Sequence, residues 1–227
     1  MSCHINYNNI DRKKIIADSI LIWGYKNYRK FSWRDNLTPY GILVAELLLR
    51  RTTATAVERL YKDFIINYPD LFSLSKANKS DLEYLLKSIG YNKLRACMIT
   101  EVATDLINNY GGIPCNLEEL MTIRNIGSYT AGAIISLGYG KRAVMVDSNV
   151  KRIIKRVFSS TLPEKPTDRN YLEICEKLLP SDNFIPFNFA LLDFGALICR
   201  YNNPLHENCP IKDFCDYFKS ISFRSTS

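Results

Sequence analysis

The sequence predicts an all-α fold, and three observations support this prediction. Apolar residues recur at helical spacing in almost every segment, as Ile16 and Ile20 do near the N-terminus. Glycine and proline end these segments, with Pro69 after one helix and Gly111 after another. Residues 143–146 look like a strand, but no partner strand is within reach. We therefore expect a chain of helices and loops.

About ten helices are expected from this periodicity and its stop signals. The first contains Ile16 and ends near residue 30. Ser80 is expected to cap the fourth helix, and Gly90 to end it. In chain order, the helices after the first are expected over residues 40–51, 54–68, 80–90, 92–110, 116–123, 128–139, 148–159, 167–179 and 187–200.

The charge balance points to a polyanionic partner. The formal net charge is +7, from 30 basic and 23 acidic residues among 227. A solvated basic surface would explain it, and so would a nucleic acid, because neutralising phosphates releases condensed counterions. No apolar run approaches the roughly 18 residues of a membrane helix, and no apolar region follows a basic start at the N-terminus. We expect a cytoplasmic protein with no membrane partner.

A tight turn between two expected helices, residues 123–128, is a candidate phosphate site. Asn125 tolerates a left-handed backbone, Gly127 permits close approach of a DNA strand, and a new helix opens at Ser128. Backbone N–H groups at a helix N-terminus attract phosphate through unpaired donors and the helix dipole. Taken alone, such a turn is usually only a connection between helices.

Two acidic residues stand in unusual positions. Asp147 follows an apolar run at an expected helix start, where capping alone would explain it. On that helix, Lys151 belongs to basic pairs that recur four residues apart, either as a solvated face or as a DNA-binding one. Glu46 lies inside an otherwise apolar helix. It could pair with a structural arginine, or burial could raise its pKa toward the range of an acid or base working near neutral pH.

The C-terminal region carries a candidate metal loop. Cys199, His206, Cys209 and Cys215 follow the spacing C-x6-H-x2-C-x5-C. Three thiols and an imidazole within 17 residues are hard to explain as packing. Cys₃His is a familiar structural zinc set.

Two segments, IRNIGSYTAGAII (123–135) and AVMVDSNVKRIIKR (143–156), resemble the helix-hairpin-helix superfamily of DNA glycosylases. In that family a glycine-rich hairpin turn is followed at this distance by a catalytic aspartate. The resemblance implies that Asp147 faces the DNA cleft and stabilises the oxocarbenium-like sugar or activates water. The first glycine of the usual turn is Asn125 here, a departure that its tolerance of a left-handed backbone accommodates.

The same resemblance implies roles for Glu46 and Tyr129. In the adenine-glycosylase branch, the glutamate matching Glu46 protonates or positions the departing base. Relatives that also cut the DNA backbone carry a lysine where this chain has Tyr129, and its amine forms a Schiff base with the sugar. A phenol cannot form an imine, so we expect a monofunctional enzyme without AP lyase activity. Tyr129 would shape the pocket, stack on the flipped nucleotide, or simply pack beneath the hairpin.

The metal loop resembles the C-x6-C-x2-C-x5-C loop that holds a [4Fe–4S] cluster in endonuclease III and its relatives. The second ligand position is His206 here. Histidine ligates iron in some iron–sulfur centres, so a cluster is the first expectation. Zinc is one alternative, and a cluster on three cysteines with His206 unbound is another. In each case the metal would hold the loop rather than perform the chemistry.

Further segments extend the resemblance over nearly the whole chain: FSWR (31–34), ILVAELLLRRTTA (42–54), IGY (89–91) and FNFALLDFGALIC (187–199). The closest branch is the archaeal-type thymine-DNA mismatch glycosylases. After Glu46 the chain reads Leu-Leu-Leu-Arg-Arg-Thr, where adenine glycosylases typically read Gln-Gln-Thr, and 12 residues follow Cys215. We therefore expect removal of thymine or uracil opposite guanine in double-stranded DNA. The alternatives are an adenine glycosylase acting on A·8-oxoguanine or A·G, and a non-catalytic helix-hairpin-helix DNA-binding protein.

Three more residues are candidate DNA contacts. Arg50 and Arg51 could touch phosphate or a guanine edge, and Tyr91 could wedge into the stack left by a flipped base. Surface or core packing would explain each of them as well.

The resemblance implies two helical lobes, a six-helix barrel domain over 31–141 and a metal-loop domain from 1–30 and 142–227. DNA would lie in the cleft between them, with Asp147 at its mouth. We expect the protein to act as a monomer.

Overall fold

In the computed structural model, residues 9–224 are described, and they form helices joined by loops with no strand in that range. The all-α prediction is confirmed. Residues 1–8 and 225–227 lie outside the described range, and with them most of the segment from which the absence of a secretory signal was predicted. Between residues 9 and 224, no helix is long and apolar enough to cross a membrane.

The α-helices of the described residues are α1 (Asn9–Asn27), α2 (Pro39–Leu48), α3 (Ala54–Asn67), α4 (Leu71–Ser75), α5 (Lys79–Leu85), α6 (Asn92–Tyr110), α7 (Leu117–Thr122), α8 (Ser128–Ala133), α9 (Ser148–Val157), α10 (Asp168–Leu178), α11 (Phe184–Leu197) and α12 (Asp216–Arg224). A π-helical segment, Ile134–Gly138, continues α8. The chain divides into two compact units. The central unit is Lys30–Ala143, and the terminal unit combines the segments up to Arg29 and from Val144 onward.

The central unit is built around α2, an apolar helix with both faces largely buried. Thr38 caps its N-terminus through Gly41 N–H, and Pro39 occupies the first turn, where its missing N–H costs nothing. The π-helical segment packs closely against this end. A Cβ built at Gly138 would lie 2.7 Å from Pro39 Cα, so a glycine is needed for the approach. This contact fixes α2 against the helix that follows the hairpin turn.

The terminal unit packs α1 and α9 against α11. Helix α9 buries Val150, Ile153, Ile154 and Val157 on one face, as its helical periodicity requires. Asp193 on α11 is fully buried, and its carboxylate accepts hydrogen bonds from Arg29 Nε at 2.7 Å and Arg29 N at 2.9 Å. This ion pair ties the chain after α1 to α11.

Several expected boundaries differ from the structure. Asn78 caps α5 in place of Ser80, because its side chain accepts from two backbone N–H groups. Two helices were missed in the prediction, α4 and α12. The segment 143–146 forms neither a strand nor a helix, and the helix expected over 128–139 changes to π geometry at Ile134.

Candidate active site and metal loop

Two of the expected catalytic residues meet in the central unit. Glu46 on α2 is half-buried between buried neighbours, and Tyr129 lies in the first turn of α8. Tyr129 Oη donates a hydrogen bond to Glu46 Oε1 at 3.3 Å. A carboxylate and a phenol are thus held together directly beside the hairpin turn.

Arg50 lies one helical turn after Glu46 and contacts the hairpin. Its Nη2 donates to the carbonyl oxygen of Asn125, and its Nη1 lies 3.1 Å from Met98 Sδ. Burial lowers the pKa of Arg50, and the nearby Glu46 carboxylate opposes that shift. The guanidinium therefore braces the hairpin through its backbone, and the DNA contact expected of Arg50 stays a prediction.

The hairpin turn has the backbone that the sequence predicted. Asn125 has φ 70°, in the left-handed region. Gly127 is exposed, has φ −92°, and a Cβ built on it would meet nothing within 4 Å, so the described fold does not itself require glycine there. Ser128, also exposed, begins α8, and the N-cap Gly127 supplies no side-chain hydrogen bond to the first turn. The turn presents open backbone to its surroundings.

Arg51 and Tyr91 form an exposed pair in the same unit. Both have left-handed backbones, with φ 52° and 53°, which is uncommon for residues with side chains of this size. The Arg51 guanidinium lies 6.0 Å from the Tyr91 ring centroid, and Tyr91 is 61% exposed. The structure therefore brings together two of the expected DNA contacts.

In the terminal unit, Asp147 is the N-cap of α9, and each of its carboxylate oxygens accepts a hydrogen bond. Val150 N–H donates to Oδ1 and Asn149 Nδ2 donates to Oδ2, both at 2.7 Å. The side chain is half-buried. The capping role that the sequence left open is real, and these two bonds hold the carboxylate in one orientation.

A short chain of hydrogen bonds leads from Asp147 to the metal loop. Asn149 Oδ1 accepts from Arg152 Nη2 at 2.9 Å, and Arg152 Nε donates to the carbonyl oxygen of Cys199 at 2.9 Å. Arg152 belongs to the basic pairs predicted on this helix, and no role was predicted for Asn149. An amide two residues after an N-cap aspartate was the available signal. Lys151, expected on phosphate, forms a 2.6 Å ion pair with Asp168.

Cys199, His206, Cys209 and Cys215 line one narrow cavity in the terminal unit. Among the described residues, however, no three His, Cys, Asp or Glu side chains are arranged to hold a metal ion. Burial raises the pKa of Cys209 to about 11 and also raises that of Cys215. Partial burial lowers the pKa of His206, and the positive charge of Arg156 lowers it further. Bringing the ligands together on a metal therefore requires thiol deprotonation and local rearrangement.

The surroundings of the thiols fit a thiolate-bound metal. The backbone N–H of Ile211 opposes the rise in the pKa of Cys209, and those of Phe218 and Tyr217 oppose the rise in the pKa of Cys215. Arg156 Nη1 lies 3.5 Å from Cys199 Sγ. N–H donors to sulfur stabilise thiolates and tune iron–sulfur centres, so the donor set and its environment suit a metal better than a purely apolar core.

Comparison with known proteins decides the family. Residues 44–181 match the model of the HhH-GPD superfamily of base excision DNA repair proteins. The chain belongs to this superfamily. It is 35% identical over 213 residues to the thymine/uracil-DNA glycosylase of Methanothermobacter thermautotrophicus, covering 93% of this chain and 96% of that protein. It is 34% identical over 207 residues to an adenine DNA glycosylase of Buchnera aphidicola, covering 89% of this chain and 59% of that protein.

Solved structures agree with the HhH-GPD assignment. A thermostable thymine-DNA glycosylase superposes with a TM-score of 0.86 at 35% identity, over 92% of this chain and 97% of that one. Endonuclease III from a non-covalent complex with DNA has a TM-score of 0.81 at 21% identity, which shows a shared fold. The residues matched to the superfamily include Glu46, Tyr129 and Asp147, whereas the metal loop lies C-terminal to them.

Proposed function

We propose that this HhH-GPD protein is a monofunctional DNA glycosylase that acts as a monomer on double-stranded DNA and removes thymine or uracil opposite guanine. The observation that carries the proposal is the hydrogen bond between Tyr129 and Glu46 beside an exposed hairpin turn. Similarity over 93% of the chain to a protein named thymine/uracil-DNA glycosylase supports the choice of base. A mispaired base also costs less to extrude, because its stacking and pairing are already weakened.

Asp147 would act on the sugar. Cleavage of an N-glycosidic bond develops positive charge at the sugar, and a fixed carboxylate stabilises such charge without reorganising during the reaction. The two hydrogen bonds to Asp147 supply that fixed orientation. The same carboxylate could instead take a proton from the attacking water.

Glu46 would act on the departing base, either donating a proton or holding the base in place. General acid catalysis of this kind contributes roughly 10²–10⁴ in rate. The phenol of Tyr129 donates to the Glu46 carboxylate and so orients it. Because Tyr129 stands where a Schiff-base lysine would be needed, the reaction would stop at an abasic site, without AP lyase activity.

The DNA contacts would come from exposed parts of both units. The backbone around Asn125, Gly127 and Ser128 would hold a phosphate, since helix-terminal N–H groups favour anions. Arg51 and Tyr91 would fill the stack left by the flipped base. Lys151 would reach phosphate only by leaving Asp168, and Arg50 would contribute mainly through the hairpin that it braces.

The metal loop would hold a [4Fe–4S] cluster, with Cys199, His206, Cys209 and Cys215 as ligands and zinc as the alternative metal. The metal would supply structural cross-linking of the loop. The central unit would correspond to the six-helix barrel domain and the terminal unit to the metal-loop domain. The hydrogen bonds from Arg152 to Asn149 and to the Cys199 carbonyl would let an ordered loop support the orientation of Asp147.

A panel of duplexes under single-turnover conditions tests the proposal. The same strand would carry G·T, G·U, A·8-oxoguanine, A·G or a matched A·T pair, and base release would be measured for each. We expect release from G·T and G·U and none from A·T. Strong activity on A·8-oxoguanine with none on G·U would favour the adenine glycosylase, to which the 34% identity also points. Binding with no release from any duplex would indicate the non-catalytic alternative.

A further inference from the structure

Three non-glycine residues of the central unit share a left-handed backbone although they lie in three different loops. Arg51 follows α2, Tyr91 precedes α6, and Asn125 lies in the hairpin turn, with φ 52°, 53° and 70°. Such conformations are unfavourable for arginine and tyrosine, less so for asparagine, and they persist where the surrounding structure over-determines them. The loops must therefore be held by contacts stronger than their own preferences.

Arg95 on α6 supplies contacts to two of these loops. It is only 5% exposed, and its guanidinium donates to four backbone carbonyls. Nη2 donates to Arg50 O at 2.7 Å, the carbonyl directly before Arg51. Nε lies 3.4 Å from Gly90 O, the carbonyl directly before Tyr91. Nη1 donates to Leu47 O and Leu48 O, both at 3.1 Å, at the C-terminal end of the helix that carries Glu46.

Arg50 extends this network to the third loop. Its Nη2 donates to the carbonyl of Asn125 itself, and its Nη1 contacts Met98 on α6. The two guanidinium groups lie close enough that Arg50 adds to the lowering of the Arg95 pKa that burial causes. Burying a cation is costly unless its donors are satisfied, and here backbone carbonyls of the three loops satisfy them. The planar, multiply donating guanidinium fits this task, which a lysine ammonium cannot reproduce.

We propose that Arg95 is a positioning residue, and that together with Arg50 it forms an arginine clamp that sets the DNA-contacting loops of the central unit. The clamp fixes the backbone that presents Arg51, Tyr91 and the hairpin turn, and it holds the end of α2 beyond Glu46. The inference rests on the proposed function, because it takes these loops to be the DNA-binding surface. It predicts that DNA affinity depends on an arginine that does not itself contact DNA.

The test compares Arg95→Lys, Arg95→Met and Arg50→Met with Arg169→Met, which removes an exposed ion pair in the terminal unit. Hydrogen exchange of the DNA-free proteins is measured at the amides of residues 50–53, 90–92 and 124–127. We expect faster exchange there in the three clamp variants, with the rest of the central unit near wild type. Exchange in Arg95→Lys should be intermediate, since lysine keeps the charge but lacks the planar guanidinium with its several N–H donors. Arg169→Met should leave these amides unchanged.

Affinity is measured by fluorescence anisotropy with a duplex that carries guanine opposite a tetrahydrofuran abasic analogue. We expect about tenfold or greater weakening in Arg95→Lys and Arg50→Met, because small displacements of positioned loops are costly. Unchanged exchange in the three segments, or uniformly faster exchange throughout the unit with unchanged affinity, would overturn the clamp. If the Arg95 variants do not fold, hydrogen exchange of residues 124–127 in Arg50→Met tests the clamp instead. If the wild type neither binds this duplex nor releases a base, the proposed function fails, while the exchange comparison still decides the clamp.

Discussion

Replacement of Asp147 separates the two roles that the structure gives it. As an N-cap it accepts from Val150 N–H, and as a candidate catalytic group it presents a carboxylate fixed by Asn149. Asparagine can still accept the Val150 bond and caps helices about as well as aspartate. Alanine loses both hydrogen bonds. Both Asp147→Asn and Asp147→Ala therefore remove the charge, but only Asp147→Ala also removes the cap.

The expected changes in unfolding free energy and in excision rate are both large enough to be measured. Loss of the cap in Asp147→Ala should cost ~0.5–2 kcal/mol of unfolding free energy, and Asp147→Asn should retain most of that stability. Removing a preorganised group that stabilises transition-state charge costs about 10²–10³ in rate, or ~2.7–4 kcal/mol. Both variants lack the negative charge, so both should lose at least this much excision rate.

The assay combines urea unfolding with single-turnover release of uracil from a G·U duplex, and with duplex binding as a control for folding. We expect stability to decrease in the order wild type, Asp147→Asn, Asp147→Ala, whereas excision is abolished equally in both variants and duplex binding is retained. If excision instead follows stability, with Asp147→Asn near wild type and only Asp147→Ala impaired, Asp147 is a cap and its catalytic assignment is wrong.

Three further variants test other parts of the account. Tyr129→Lys should gain strand cleavage and become trappable to DNA by borohydride, while wild type and Tyr129→Phe do not, because only an amine forms the imine. Protein purified anaerobically should contain iron and sulfide, and His206→Cys should keep or improve cluster retention in metal analysis; zinc after growth in iron-replete medium would decide for the alternative. Gly138→Ala should lower the unfolding free energy by ~1–3 kcal/mol, since its Cβ would meet Pro39 Cα at 2.7 Å, whereas Gly112→Ala, which meets nothing within 4 Å, should not.

The helices were predictable where a strong periodic face met a clear start or stop. Helix α6 ends at Gly111 as expected, and α9 begins after its aspartate cap. Helix α4 was missed because five residues are too few to show a period. The change to π geometry at Ile134 lies in the segment whose Gly138 approaches Pro39 of α2, and the local sequence pattern did not indicate it. Local sequence signals thus located most helices, but not the change in helix geometry within one of them.

The sequence indicated which residues belong to the candidate site, but not which contacts they make. An acid in an apolar helix and an aspartate at a helix start marked Glu46 and Asp147. The sequence could not show that Arg50 and Arg95 point inward, because their partners are backbone carbonyls from distant loops. Any residue offers a carbonyl, so such contacts leave no trace in side-chain patterns.

Product analysis on one G·T duplex tests whether this protein is a monofunctional glycosylase that depends on Asp147. Free thymine is quantified in one aliquot, and strand breakage in another, before and after alkali treatment. We expect thymine release equal to the breakage seen after alkali, with little breakage before it, and loss of all product in Asp147→Asn. Breakage without alkali that matches thymine release, or thymine release that persists in Asp147→Asn, would contradict a monofunctional glycosylase that depends on this carboxylate.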